Sequence, residues 1–203
     1  MFRIHLKKNN NKLSKQKVRF QQQTQCPLIH QYIRGQFSAY LNTNQYKQSR
    51  PEHVEYKKVH IRTTVESDFK PVADNMREMD VLECRLNGHD PLQALESSIG
   101  SDYASYTIVC NETDTPLACF GIGYINMSYD YIWMLATDKL VETAGFEFAR
   151  ESKKVVQRLQ SSAMKPLTNM VHKDNKVAIR WLRFCGAKFN DHPFTDNLIQ
   201  FII

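Results

Sequence analysis

From Lys58 to the C-terminus, strand-like and helix-like stretches follow one another in the order β-α-α-β-β-β-α-β-α-β-β, and few folds accommodate that order. The reading rests on local signals. Val59-His60-Ile61-Arg62 reads as a short strand, and Asp68 stands as an N-cap before a helical stretch over 69–87. Asp90-Pro91 joins a cap to a first-turn proline and predicts a helix over 91–99, ahead of Gly100. Residues 103–110 and 116–125, separated by the turn Asn111-Glu112-Thr113-Asp114, read as an antiparallel hairpin. A strand at 131–137, a long helix at 139–160 and a strand at 167–172 follow. Asp174 or Asn175 caps the next helix, which carries Val177, Ile179, Trp181, Leu182 and Phe184 to its stop at Gly186. Strands at 187–189 and 197–203 close the chain. The expected fold is α/β (α+β), a mixed, mostly antiparallel sheet with helices on both faces.

The first 57 residues obey different rules. They hold eleven Lys/Arg against Glu52 and Glu55, a balance of +9, whereas 58–203 hold sixteen against nineteen, a balance of −3. The net +6 of the chain therefore belongs to this basic N-terminal extension. Residues 1–25 are dominated by Asn, Gln and Lys and bury too little apolar surface to offset the entropy of ordering, so disorder is expected there. After Pro27, Leu28, Tyr32 and Tyr40, with Ile29, Ile33, Phe37 and Leu41, recur at multiples of four and predict a docking helix over 28–42, weakened by Gly35. Residues 42–57 return to polar loop composition. The expected organisation is thus an extension at 1–57 and one domain at 58–203.

Cys26, Cys84, Cys110, Cys119 and Cys185 are odd in number and contain no Cys-x-x-Cys pair, which suggests neither a disulfide framework nor a zinc site. Each reads as a small buried apolar residue. No stretch approaches the length of apolar sequence that spans a bilayer, and the opening Met-Phe-Arg-Ile-His-Leu-Lys-Lys lacks the apolar run of a secretory signal. A soluble, non-secreted protein is expected.

The element order, with Asn175, Ala178, Gly186 and Phe189 spaced as Asn-x-x-Ala leading to Gly-x-x-aromatic, resembles the GNAT (acyl-CoA N-acyltransferase) family. Ile61-Arg62 with Asp68 resembles that family's first strand and helix start, and the likeness covers 59–203. A second resemblance is to small GNAT-like proteins encoded beside head genes of short-tailed phages, described as internal virion or head-morphogenesis proteins. It is carried by Ile61-Arg62 through Asp68, Asp90-Pro91 through Ser97, Pro116-Leu117-Ala118 through Gly123, Ala136-Thr137-Asp138, and Ile179-Arg180 through Phe189.

The GNAT resemblance implies three provisions: a phosphate loop for acetyl-CoA, a base for the acceptor amine and an acid for the leaving thiolate. The family's loop reads Arg/Gln-x-x-Gly-x-Gly/Ala. Anchored on Gly145 it places Glu142 and Glu147 at key positions, and counted from Ala136 it places Val141, Ala144 and Phe146 there. Neither alignment supplies the loop, and a carboxylate beside a pyrophosphate opposes binding. The acid position falls on Leu182, which cannot transfer a proton. Tyr131 and His172 are the remaining catalytic candidates, with Asp130 or Asp138 as alternatives to Tyr131 in a base or relay role. Ala136, Thr137, Gly145 and Asn175 are the cofactor-binding candidates.

The sequence therefore points to a phage protein that keeps the scaffold without the transfer chemistry. It would act in virion assembly or the internal core, in the virion or host cytoplasm, with no cofactor expected. Its partners would be other virion proteins, reached through 1–57 and the 28–42 helix, or nucleic acid held through phosphate charge. The alternative is an N-acetyltransferase that uses acetyl-CoA on an amine of a protein or small molecule.

Overall fold

The computed structural model describes residues 54–190 and 194–203. The expected helix at 28–42, Cys26 and the extension through residue 53 lie outside them. Eight strands form one sheet in the order β1-β2-β3-β4-β5-β6-β8-β7: β1 (Val54–Glu55), β2 (Val59–Thr63), β3 (Asp102–Cys110), β4 (Pro116–Tyr124), β5 (Asp130–Ala136), β6 (Leu167–His172), β7 (Lys188–Phe189) and β8 (Leu198–Ile202). Every neighbouring pair is antiparallel except β5 and β6. The expected mixed, mostly antiparallel sheet is present. β1 is an addition, since its residues fall in the stretch read as loop.

Among the described residues five α-helices flank the sheet: α1 (Phe69–Asp74), α2 (Glu78–Leu86), α3 (Pro91–Ser101), α4 (Lys139–Ser162) and α5 (Lys176–Cys185). Leu117 to Gly123 of β4 are buried without alternation because both sheet faces are covered. On one face α4 closes over Ile61, Ile108, Phe120 and Ile122, and α5 packs beside it with Trp181 stacked on Phe148. On the other, Val72 of α1, Cys84 of α2 and Leu95 of α3 cover Cys119 and Trp133.

Two helix starts follow their sequence signals closely. The Asp90 carboxylate accepts Gln93 N–H at 2.9 Å and Pro91 opens α3. Asn175 accepts Ala178 N–H at 3.1 Å, and Gly186 ends α5 at φ 106°, where a side chain would be strained.

The helix expected over 69–87 is two helices, broken at 75–77. Arg77 N–H leaves the helical ladder to donate to the Ala136 carbonyl at 2.9 Å, and Met76 forms a bridge with Thr137. Asp68 is also not the side-chain cap expected of it. Its carboxylate takes both arms of Arg62 at 2.7 Å, Thr107 Oγ1 at 2.7 Å and Val65 N–H at 3.0 Å. Burial pushes this carboxyl up, but the hydrogen bonds from Arg62, Val65 and Thr107 outweigh it and hold it below the usual range.

Candidate functional site

The parallel pair β5 and β6 is joined only at Asp130–Leu167 and Tyr131–Thr168. Beyond that point the strands diverge, and the side-chain amide of Asn169 reaches across to the Ile132 carbonyl at 2.7 Å. Further on, α2 supplies what the missing ladder would have supplied. Asp80 accepts the Ala136 N–H at the tip of β5 at 3.0 Å, while Glu83 accepts the His172 N–H at the tip of β6 at 2.9 Å. The two carboxylates stand three residues apart on one helical face, so a single turn of α2 straddles the divergence.

A cavity of about 400 Å³ opens from this gap and runs under α4. Its walls are mainly aliphatic and aromatic, from Val59 and Ile61 of β2 to Val171 of β6, with Leu140, Phe148 and Val155 above. Polar side chains gather at the gap: Arg77, Asp80, Glu83, Thr137, Asn169 and Asn175. Burial raises both carboxyls. For Asp80 this prevails over Arg77 and the Ala136 N–H; for Glu83 it prevails over the bonds from Asn175 (3.0 Å) and His172.

The sequence candidates distribute unevenly about this cavity. Thr137, Gly145 and Asn175 line it, as does Leu182 at the expected acid position. Thr137 donates its hydroxyl to the Leu117 carbonyl at 2.9 Å, and Asn175 is occupied as the cap of α5 and in its bond to Glu83. Ala136 contributes its backbone to α2 at the tip of β5. His172 ends β6, its Nδ1 3.2 Å from the Asp174 N–H that donates to it. Tyr131 belongs to the other face: its hydroxyl bonds Asp102 and the Ser98 carbonyl, away from the cavity lining. Asp102 also accepts from Ser105 at 2.6 Å and Trp133 Nε1 at 2.8 Å, and burial pushes its carboxyl up to about 7. Asp130 is buried against Met164 N–H and Lys165 N–H, both at 3.2 Å, and Asp138 is exposed before α4.

Sequence reading missed Arg77, Asp80, Glu83 and Asn169. A signal for one of them existed: Met76, Asp80 and Cys84 recur every four residues and all three are buried, so an acid sits on an apolar stripe.

The residues at the start of α4 do not fit a pyrophosphate. The backbone leaves helical geometry at Ala144 (φ −135°, ψ 20°), near where the loop would end, but the flanking side chains are Val141, Glu142 and a Phe146 that is 81% exposed. Glu147 is already engaged by the N–H groups of Lys57 and Lys58 at 2.9 and 3.0 Å. The four described cysteines are buried, and burial raises the thiols of Cys84 and Cys119 to about 12 and about 11.

No protein-family model matches this chain, and no curated protein matches it. Among solved structures it is similar to a GNAT-family acetyltransferase from Bacillus anthracis, with a TM-score of 0.55 and 10% identity over 75% of this chain and 98% of that one. It is also similar to the GNAT domain of PAT from S. lividans, with a TM-score of 0.54 and 11% identity over 71% and 89%. A third is the ribosomal-protein-S18-alanine N-acetyltransferase from Escherichia coli, with a TM-score of 0.50 and 13% identity over 71% and 92%. At such identities the likeness establishes the fold: the described residues have the GNAT architecture.

Proposed function

We propose that this chain is a GNAT-fold interaction module without acetyl-transfer activity, acting in the assembly or internal core of a phage particle. The observation that carries the non-catalytic reading is Leu182. At the position where the family resemblance expects a proton donor, an apolar side chain packs with Val171, Ile179 and Phe201 and forms part of the cavity wall. The start of α4 agrees with it, offering apolar and acidic side chains where a pyrophosphate needs donors. The particle role rests on the distributed sequence resemblance. In that role 1–57 reaches other virion proteins, or nucleic acid through its +9 balance, within the virion or the host cytoplasm. Among the described residues no helix is long and apolar enough to cross a membrane.

One observation favours a second reading, an N-acyltransferase acting on an amine. The diverging strands open onto a cavity, and Glu83, raised above the ordinary carboxylate range, lines it as a candidate base. The Escherichia coli neighbour is named for acetylating an alanine, and this reading extends such chemistry to the present chain. Thermal melts of the full chain in excess acetyl-CoA separate the two. An unchanged midpoint is expected for the module, and a rise that grows with acetyl-CoA concentration supports the enzyme.

A further inference from the structure

We infer that the cavity under α4 is a binding site for a single alkyl chain carrying an uncharged head group. This goes beyond the proposed function and does not depend on it. The lining reaches from Val59 and Ile61 on β2, across β3, β4 and β5, to Val171 on β6, so it crosses five neighbouring strands. The lining thus spans four strand spacings of about 4.8 Å, about 19 Å across the sheet. A volume of about 400 Å³ spread over that length leaves a mean cross-section of about 21 Å². A polymethylene chain keeping neighbouring carbons at about 4–4.5 Å takes up a cross-section on the order of 16–20 Å². At about 1.3 Å per methylene, from a carbon–carbon bond of about 1.5 Å, the channel holds roughly 15 carbons.

The strand gap sets the head group. At the strand gap Arg77 is consumed by Asp80, with contacts of 2.9–3.1 Å, which leaves Glu83 as the carboxylate facing an entering head and Asn169 and Asn175 beside it. At the other end Glu147 and Glu151 line the wall, Glu147 holding backbone N–H groups and Glu151 paired with Arg150 and Lys154. At the strand gap a fatty carboxylate therefore meets like charge from Glu83, whereas a hydroxyl finds an acceptor there; the far end, where Arg150 and Lys154 balance the carboxylates, sets no such preference.

The test is displacement of a fluorescent fatty-chain probe from the full chain by 1-alkanols and alkanoates of about eight to sixteen carbons, with affinity expected to rise about fourfold per methylene and level off near 15. Alkanoates of equal length bind more weakly, and Glu83→Gln narrows that difference. Ile61→Phe, at the β2 end, moves the plateau to shorter chains, while Val155→Phe, in the α4 wall, weakens every length. Thermal melts of both variants establish that they are folded. Affinity independent of chain length, alkanoates binding as tightly as alkanols, or a plateau unmoved by Ile61→Phe in a folded variant would overturn the assignment.

Discussion

Asp80 and Glu83, one turn apart on α2, accept the N–H groups at the tips of β5 and β6, where the two strands no longer pair with each other, Ala136 at 3.0 Å and His172 at 2.9 Å. The helix thereby closes the open end of the strand divergence without filling it. Replacing Glu83 with Ala leaves the His172 N–H and the Asn175 amide without their acceptor, at a cost of about 1–3 kcal/mol. Glu83→Gln keeps an accepting oxygen and costs clearly less. Urea denaturation of the two variants checks this, and equal losses would show that the hydrogen bonds do not hold the strand tip.

Asp102 makes stability depend on pH. Its carboxyl is raised to about 7 in the folded chain from an ordinary value of about 3.8, so its contribution is fully present below pH 3.8 and is lost as pH rises through about 7. A shift of that size corresponds to something on the order of 4 kcal/mol. Asp102→Asn keeps an oxygen for Trp133 Nε1 while its amide donates to the Tyr131 hydroxyl, and it is expected to flatten this part of the profile, with its gain over the unmodified chain greatest above pH 7. Denaturation midpoints between pH 4 and pH 8 provide the check.

Asp68 acts in the opposite direction. Held below the usual carboxylate range chiefly by Arg62, it contributes stability that is present above its unfolded value and lost as pH falls through its folded one. Asp68→Ala takes the counter-ion from a partly buried guanidinium, leaving it the Thr63 carbonyl, and leaves the Thr107 hydroxyl to Thr64; it is expected to cost about 3–5 kcal/mol. A loss below about 1 kcal/mol in urea denaturation would mark the pair as no stronger than a surface ion pair.

Gly121 has no room for a side chain. An added Cβ would lie 2.5 Å from both the Ala104 carbonyl and the Asp102 carboxylate. Gly121→Ala is therefore expected to destabilise by about 1–3 kcal/mol, the cost of overpacking, and to disturb the fluorescence of Trp133. An unchanged melt and spectrum would contradict the close packing of this face.

Much of the fold was legible because it follows from local rules. The Asn175 cap, the Gly186 stop and the Asp90-Pro91 start each express a short-range preference that the tertiary structure keeps. The break at 75–77 was not legible, since nothing in Asn75-Met76-Arg77 forbids a helix and the bond from Arg77 to Ala136 is made with a residue 59 positions away. The same holds for Asp68, whose capping spacing is real but whose carboxylate is claimed by Arg62 across the turn. At the candidate site, Thr137, Gly145 and Asn175 were placed together by the resemblance, whereas Tyr131 faces Asp102 on the opposite side of the sheet. Glu83 gave little sign of itself, because its meaning depends on a strand divergence visible only in three dimensions.

The most direct test of the central claim is isothermal titration of the full chain with acetyl-CoA in low-salt buffer. The account predicts no saturable heat, with Glu142→Gln leaving both the fold and this outcome unchanged. Saturable binding at micromolar affinity would contradict it and identify the cleft between β5 and β6 as a working cofactor site.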